Sequence, residues 1–158
     1  MPIPQHIQEF LDSRGVSYEH LVHAQAFTAS RTAEAQDVSG KELAKSVMVM
    51  AEERPVMAVI PANGRLDVEK LGQLLGAASV RLAKEGEFED LFPGCEVGAE
   101  PPFGKLYDVP VWLDASFEDH ASIVFNAGTH TDTIQMSVAD FEKIEEPKVA
   151  RLVELPNS

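Results

Sequence analysis

Two apolar runs held apart by three polar residues constrain this chain more than any other feature. AKSVMVMA (Ala44–Ala51) and PVMAVI (residues 55–60) are β-prone, and Glu52-Glu53-Arg54 between them reads as a turn, so the pair predicts a hairpin. A hairpin of this apolarity needs further strands and helices to cover it. The chain offers both. Residues 4–14 predict a helix: Pro4 suits its first turn, Ile7, Phe10 and Leu11 share a face, and Gly15 suits its end. Residues 16–22 predict a strand, and TASRTAEAQD a short helix ended by Ser39-Gly40. Asp67 is a good N-cap for a helix with the apolar stripe Val68, Leu71 and Leu75, closed by Gly76.

The second half is mostly extended. Short strands are expected at 80–83, 109–113, 123–126 and 133–136, with a charged helical turn at GEFEDLF. Ser137 and Asp140 fit a variant capping box opening a helix to about Glu145, and residues 149–155 read as a final edge strand. Residues 93–105 (PGCEVGAEPPFGK) hold three glycines and three prolines, a density that neither helix nor strand interior tolerates, so they predict an ordered loop. Strands outnumber helices, and hairpins mix with crossovers. The expectation is one α+β domain over residues 1–158 with a mixed sheet.

Charge narrows the partners. The net charge of −13 argues against binding along a nucleic-acid duplex, and no DNA partner is expected. Nine of the 13 basic residues fall between Arg31 and Lys105, however, which suits brief contact with an RNA end. No apolar run reaches membrane-span length and the N-terminus does not read as a secretory signal, so no membrane partner and a cytoplasmic location are expected. Cys95 is the single cysteine and reads as a small, partly buried hydrophobe rather than a nucleophile. His20 and His23, three apart on a strand, would face opposite sides; with no other ligand cluster visible, no metal and no cofactor are expected.

Three segments carry polar groups suited to chemistry. In GKELAKSVMV, Lys45 begins an apolar strand; it is either solvated at the strand end or a cation at a cleft mouth that binds phosphate or polarises a carbonyl. In GCEVGAEPPFG, Gly98 permits positive φ or close ligand approach. Pro101 and Pro102 stiffen the loop and remove two donors, leaving its other amides to point one way. That loop is either an oxyanion cradle or a tight structural turn. In FNAGTHTDTIQM, Gly128, Thr129 and His130 lie between two strands; His130 is either an exposed loop residue or a hydrogen-bonding group active near neutral pH.

Together these segments, with HAQAFTASRTAEA before them, resemble the YbaK family, which includes the editing domain inserted in bacterial prolyl-tRNA synthetases. The resemblance runs from the first helix to about Lys148. It implies a curled, barrel-like mixed sheet surrounded by helices, a pocket for the aminoacylated 3′ end of tRNA, and hydrolysis of the aminoacyl ester. The implied catalytic residues are Lys45, Gly98 and His130. Substrate binding is implied for His23, Ser46, Pro101, Pro102, Asn126, Gly128 and Thr129. The chain departs from some relatives at Leu21 or Val22, which replace an aromatic residue, at Ser46, which replaces Asn, and at Asp132, which fits a family carboxylate only roughly.

An aminoacyl ester is already activated, so the expected mechanism needs no covalent nucleophile. Lys45 would anchor the substrate in a hollow walled by the two glycine turns, amides around Gly98 and Gly128 would cradle the oxyanion, and the neighbouring ribose hydroxyl would help activate water. His130 would orient substrate or water. The expected load is alanine, serine, cysteine or a similar small residue, because a synthetase pocket rejects smaller or isosteric amino acids poorly. An aminoacyl-tRNA synthetase that delivers the substrate is a further partner left open. The competing reading is a non-catalytic module that binds aminoacyl-adenosine or an amino acid.

Overall fold

A computed structural model of the protein describes residues 4–22 and 43–154. The TASRTAEAQD helix and His23 lie outside the described residues.

Helix α1 (Gln5–Ser13) buries Ile7, Phe10 and Leu11, the face its spacing predicts. Strand β1 (Tyr18–Val22) follows. The hairpin β2 (Ala44–Ala51) and β3 (Arg54–Pro61) is antiparallel with Lys45 opposite Ile60 and Ala51 opposite Arg54. Its turn is therefore the two residues Glu52 and Glu53, both at positive φ (50° and 65°), and Arg54 already belongs to β3. Helix α2 (Val68–Leu75) starts where predicted: Asp67 accepts a hydrogen bond from the Lys70 amide (3.0 Å), and Gly76 closes the helix in the left-handed conformation.

Strand β4 (Val80–Leu82) leads into the short helix α3 (Glu85–Phe88) and a 3₁₀ turn at Glu89–Leu91. The Gly/Pro-rich loop ends sooner than predicted, because Gly104–Tyr107 winds into one helical turn, α4. Strand β5 (Val111–Asp114), a 3₁₀ turn at Ala115–Asp119, and strands β6 (Ser122–Asn126) and β7 (Asp132–Ser137) follow. Ser137 caps α5 (Val138–Glu145) by accepting from the Asp140 amide (3.0 Å). The last strand, β8 (Lys148–Ala150), lies at a sheet edge as expected but is shorter than predicted. Beyond it Val153 makes only an isolated bridge to Leu66, and Asp114 accepts from the amides of Leu152 (2.7 Å) and Val153 (3.3 Å).

The mixed α+β expectation is met. The described strands form two open sheets, so the closed, barrel-like arrangement is not what they display. One sheet is mixed, in the order β4-β2-β3-β5-β8, with β2 antiparallel to both neighbours and β5 parallel to β3 and β8. The other is antiparallel, β1-β7-β6. Among the described residues, a parallel bridge, Leu43 to Val124, joins β6 to the start of β2.

Alternation along β2 assigns its residues to different cores. Ala44 and Met48 face a large core shared with α1, α5 and the phenylalanines Phe103, Phe125 and Phe141. Val47, Val49 and Ala51 face a second core with Leu71 of α2 and Trp112. Between the sheets, Leu43, Ala62 and Val124 form a small third cluster.

Candidate active site

The two glycine turns predicted from sequence meet. Gly98 (φ 88°) and Gly128 (φ 92°) occupy a backbone region that side chains rarely adopt. Space is tight at Gly98 and tighter at Gly128. A Cβ on Gly98 would lie 3.3 Å from the His130 ring, and one on Gly128 would lie 2.8 Å from Pro4 and 3.3 Å from Ile7 of α1. The first helix thus lies directly behind the Gly128 turn.

Hydrogen bonds clasp the turns. The Glu96 amide donates to the Gly128 carbonyl (2.7 Å), and the Gly128 amide donates to the Ala99 carbonyl (2.8 Å). The His130 amide donates to Glu96 Oε1 (2.6 Å), and His130 Nε2 lies 2.8 Å from the Val97 carbonyl. A carbonyl can only accept, so that ring nitrogen carries a proton. His130 therefore clasps the two loops together.

The same geometry corrects one expectation. The amides of Gly98 and Gly128 do not stand free for an oxyanion: Gly98 donates to Glu100 Oε2 (3.0 Å) and Gly128 to Ala99. Folding the loop satisfies its own donors, as buried backbone requires. Pro101 and Pro102 are buried beside Glu100, a carboxylate only 6% exposed, whose pKa is pushed up by burial despite the bond from Gly98.

Asp132, fully buried, organises the second turn. Its carboxylate accepts from Thr129 Oγ1 and lies 2.6 Å from His20 Nε2, while its amide donates back to Thr129 Oγ1 (3.0 Å). Burial pushes this carboxyl up, but the bonds from Thr129, His20 and Thr131 outweigh burial and hold it below its ordinary value. His20 is thus a hydrogen-bond partner of Asp132, and among the described residues no group of three or more His, Cys, Asp or Glu is placed to hold a metal.

Ser46 and Lys45 point to opposite sides of β2. Ser46 Oγ donates to the Glu100 carbonyl (3.1 Å), which ties the Gly98 loop to the strand. Lys45 is half-buried, and burial lowers the pKa of its ammonium. It lines a cavity of about 420 Å³ with Val47, Ile60, Arg65, Leu66 and Asp67. Among the described residues, neither glycine turn lines this particular cavity.

Asn126 ends β6 one residue before the Gly128 turn. Its Oδ1 and the hydroxyl of its cross-strand partner Thr133 are buried without a hydrogen-bond partner among the described residues. Cys95 behaves as the bland reading holds: partly buried, 3.4 Å from the Tyr107 hydroxyl, its thiol pushed up by burial. Among the described residues, no helix is long and apolar enough to cross a membrane.

Sequence reasoning missed Glu96, Glu100 and Thr133. Nothing local marks them, since each depends on a partner distant in sequence or across the sheet. The only available signal was their position inside the two segments already singled out.

Known proteins resemble this chain in sequence and in fold. The model of the aminoacyl-tRNA editing domain matches residues 23–144. The chain is 30% identical over 144 residues to the multifunctional Ser/Thr-tRNA deacylase ProXp-y of Escherichia coli K12, covering 90% of this chain and 84% of that protein. It is 32% identical over 95 residues to the proline–tRNA ligase of Streptococcus gordonii, covering 60% of this chain and 15% of the ligase. Two solved structures share the fold at 23% identity. One is a hypothetical protein (TM-score 0.85, covering 94% of this chain and 99% of that one). The other is a candidate trans-editing enzyme for prolyl-tRNA synthetase (TM-score 0.82, covering 96% of each). The chain belongs to the aminoacyl-tRNA editing domain family, a family of hydrolytic deacylases.

Proposed function

We propose that this chain is a single-domain trans-editing enzyme that hydrolyses the ester between a small amino acid and the 3′ end of tRNA. The observation that carries the reading is the half-buried ammonium of Lys45, held in a cavity and next in sequence to Ser46, the residue that anchors the Gly98 loop. An ammonium partly removed from water interacts more strongly with a phosphate or a developing oxyanion than an exposed one does.

Water attacks the ester carbonyl, the carbonyl oxygen becomes an oxyanion, and collapse expels the ribose oxygen, which takes up a proton. Lys45 supplies positive charge toward the phosphate or carbonyl. The clasped turns at Gly98 and Gly128, with His130 and Thr129, form a second part of the substrate site outside the Lys45 cavity, and Ser46, Pro101, Pro102 and Asn126 complete it. His23 is a further contact. The vicinal ribose hydroxyl assists the water, which explains how ester cleavage proceeds without a protein acid–base pair.

Serine is the first load to test, because the Escherichia coli relative is named for seryl and threonyl esters; alanine and cysteine follow on size. The ligase relative supports delivery by a synthetase, and a tRNA substrate supports a cytoplasmic location.

The test is a panel of tRNAs charged with seryl, threonyl, alanyl and cysteinyl esters, with ester loss measured over time. The wild-type protein is expected to deacylate at least one, and Lys45→Ala to lower that rate by about a hundredfold, the scale of losing one charge-stabilising donor. A Lys45→Ala variant at the wild-type rate removes Lys45 from the mechanism. Binding without hydrolysis across the panel shows a binding module instead.

A further inference from the structure

One pair of buried polar atoms, Asn126 Oδ1 and the Thr133 hydroxyl, has no role in the clasp. On the antiparallel sheet, Thr133 of β7 lies between Leu21 of β1 and Asn126 of β6. Its neighbour Ile134 and Phe125 face the large core, so Thr133 and Asn126 face the other way. That side also carries Val124, which packs against Leu43 and Ala62. Leu43 bridges Val124, and two residues further along each strand, on the same side, come Lys45 and Asn126. The pair therefore shares a side with the half-buried ammonium.

Thr133 is fully buried, and neither its hydroxyl nor Asn126 Oδ1 has a hydrogen-bond partner among the described residues. Buried polar atoms left unpaired are uncommon, because each forfeits its hydration. An apolar residue would serve this position better unless something binds there. Asn126 Oδ1 can only accept, and the Thr133 hydroxyl can donate or accept. A ligand hydroxyl satisfies both. An ammonium would suit the two oxygens equally, but Lys45 on the same side opposes a second cation.

We infer that Thr133 and Asn126 form a subsite that reads a hydroxyl of the aminoacyl ester, making Thr133 a specificity-determining residue. The inference rests on the editing reading above. The substrate carries such a group in two places: the side chain of a seryl or threonyl load, and the ribose beside the ester. A site that hydrogen-bonds a hydroxyl discriminates against a ligand that lacks it, because its own groups are then left unpaired.

The test uses non-hydrolysable 3′-amide analogues of aminoacyl-adenosine, seryl and alanyl, each with and without the 2′-hydroxyl, and binding is measured by calorimetry. Thr133→Val is expected to weaken binding about tenfold, the value of one hydrogen bond, and only for ligands with the hydroxyl being read. Loss confined to the seryl pair identifies the side chain; loss confined to the two 2′-hydroxy ligands identifies the ribose. Thr133→Ser is expected to retain wild-type affinity. Thr133→Val is also expected to melt at or above the wild-type temperature, because it removes an unpaired hydroxyl. Wild-type affinity for all four ligands in Thr133→Val, or equal weakening of all four, overturns the inference. A lower melting temperature for Thr133→Val also overturns it, since Thr133 and Asn126 would then be serving each other. Wild-type protein that binds none of the four overturns the editing reading and this inference with it.

Discussion

Gly128 shows how much one residue settles here. Its φ of 92° and the contact at 2.8 Å that a Cβ would make with Pro4 demand glycine for two independent reasons. Gly128→Ala is expected to lose about 2–3 kcal/mol in urea unfolding, from backbone strain and forced displacement of α1. It is also expected to slow deacylation, since the Glu96 and Ala99 bonds leave with the turn. The glycine was legible in the sequence because a Gly-x-His between two strands stands out. The acids that hold the turns were not. Glu96, Glu100 and Asp132 look like solvated loop carboxylates until the fold places an amide, a hydroxyl or an imidazole against each. Lys45 was legible as a residue, but its side of the strand followed only from the register with Ile60.

At the scale of elements, the helices were the most readable, because caps and stripes are local. Asp67, Gly76 and Ser137 all act where the pattern put them. Strand ends were less readable. Residues 149–155 are β-prone throughout, yet after Ala150 the Asp114 carboxylate draws the amides of Leu152 and Val153 out of any ladder. The β2–β3 turn went unread in detail because it uses unsuitable residues. Two consecutive residues at positive φ favour Asn-Gly, and this chain has Glu-Glu. Glu53→Gly is expected to stabilise the protein by about 1 kcal/mol, read as a higher melting temperature, because it relieves a left-handed conformation that costs about that much. The exposed pair it removes, Glu53 with Arg81, contributes little.

Across the whole molecule, burial of charge leaves a signature in pH. Glu145 is buried at the end of α5 and accepts from the Lys105 amide; burial raises its carboxyl pKa to about 8, against an ordinary value of 4.5. The unfolded chain releases this proton near 4.5 and the folded one holds it to about 8. The folded state therefore binds more protons between those values, and this group's contribution to stability falls as pH rises through that window and is flat above it. Glu145→Gln, which keeps an oxygen to accept from Lys105, is expected to narrow the difference in melting temperature between pH 5 and pH 8. An unchanged difference between variant and wild type would show that Glu145 does not titrate in this window.

The sheets are like two boards glued over a shared core, with one rung among the described residues, between Leu43 and Val124, joining their ladders. Lys45 stands on one board, Asn126 and Thr133 on the other. A molecule gripped by all three would rivet the boards together. Occupancy should then register as slower amide exchange on both sides of the joint, including at strand residues that never touch the ligand.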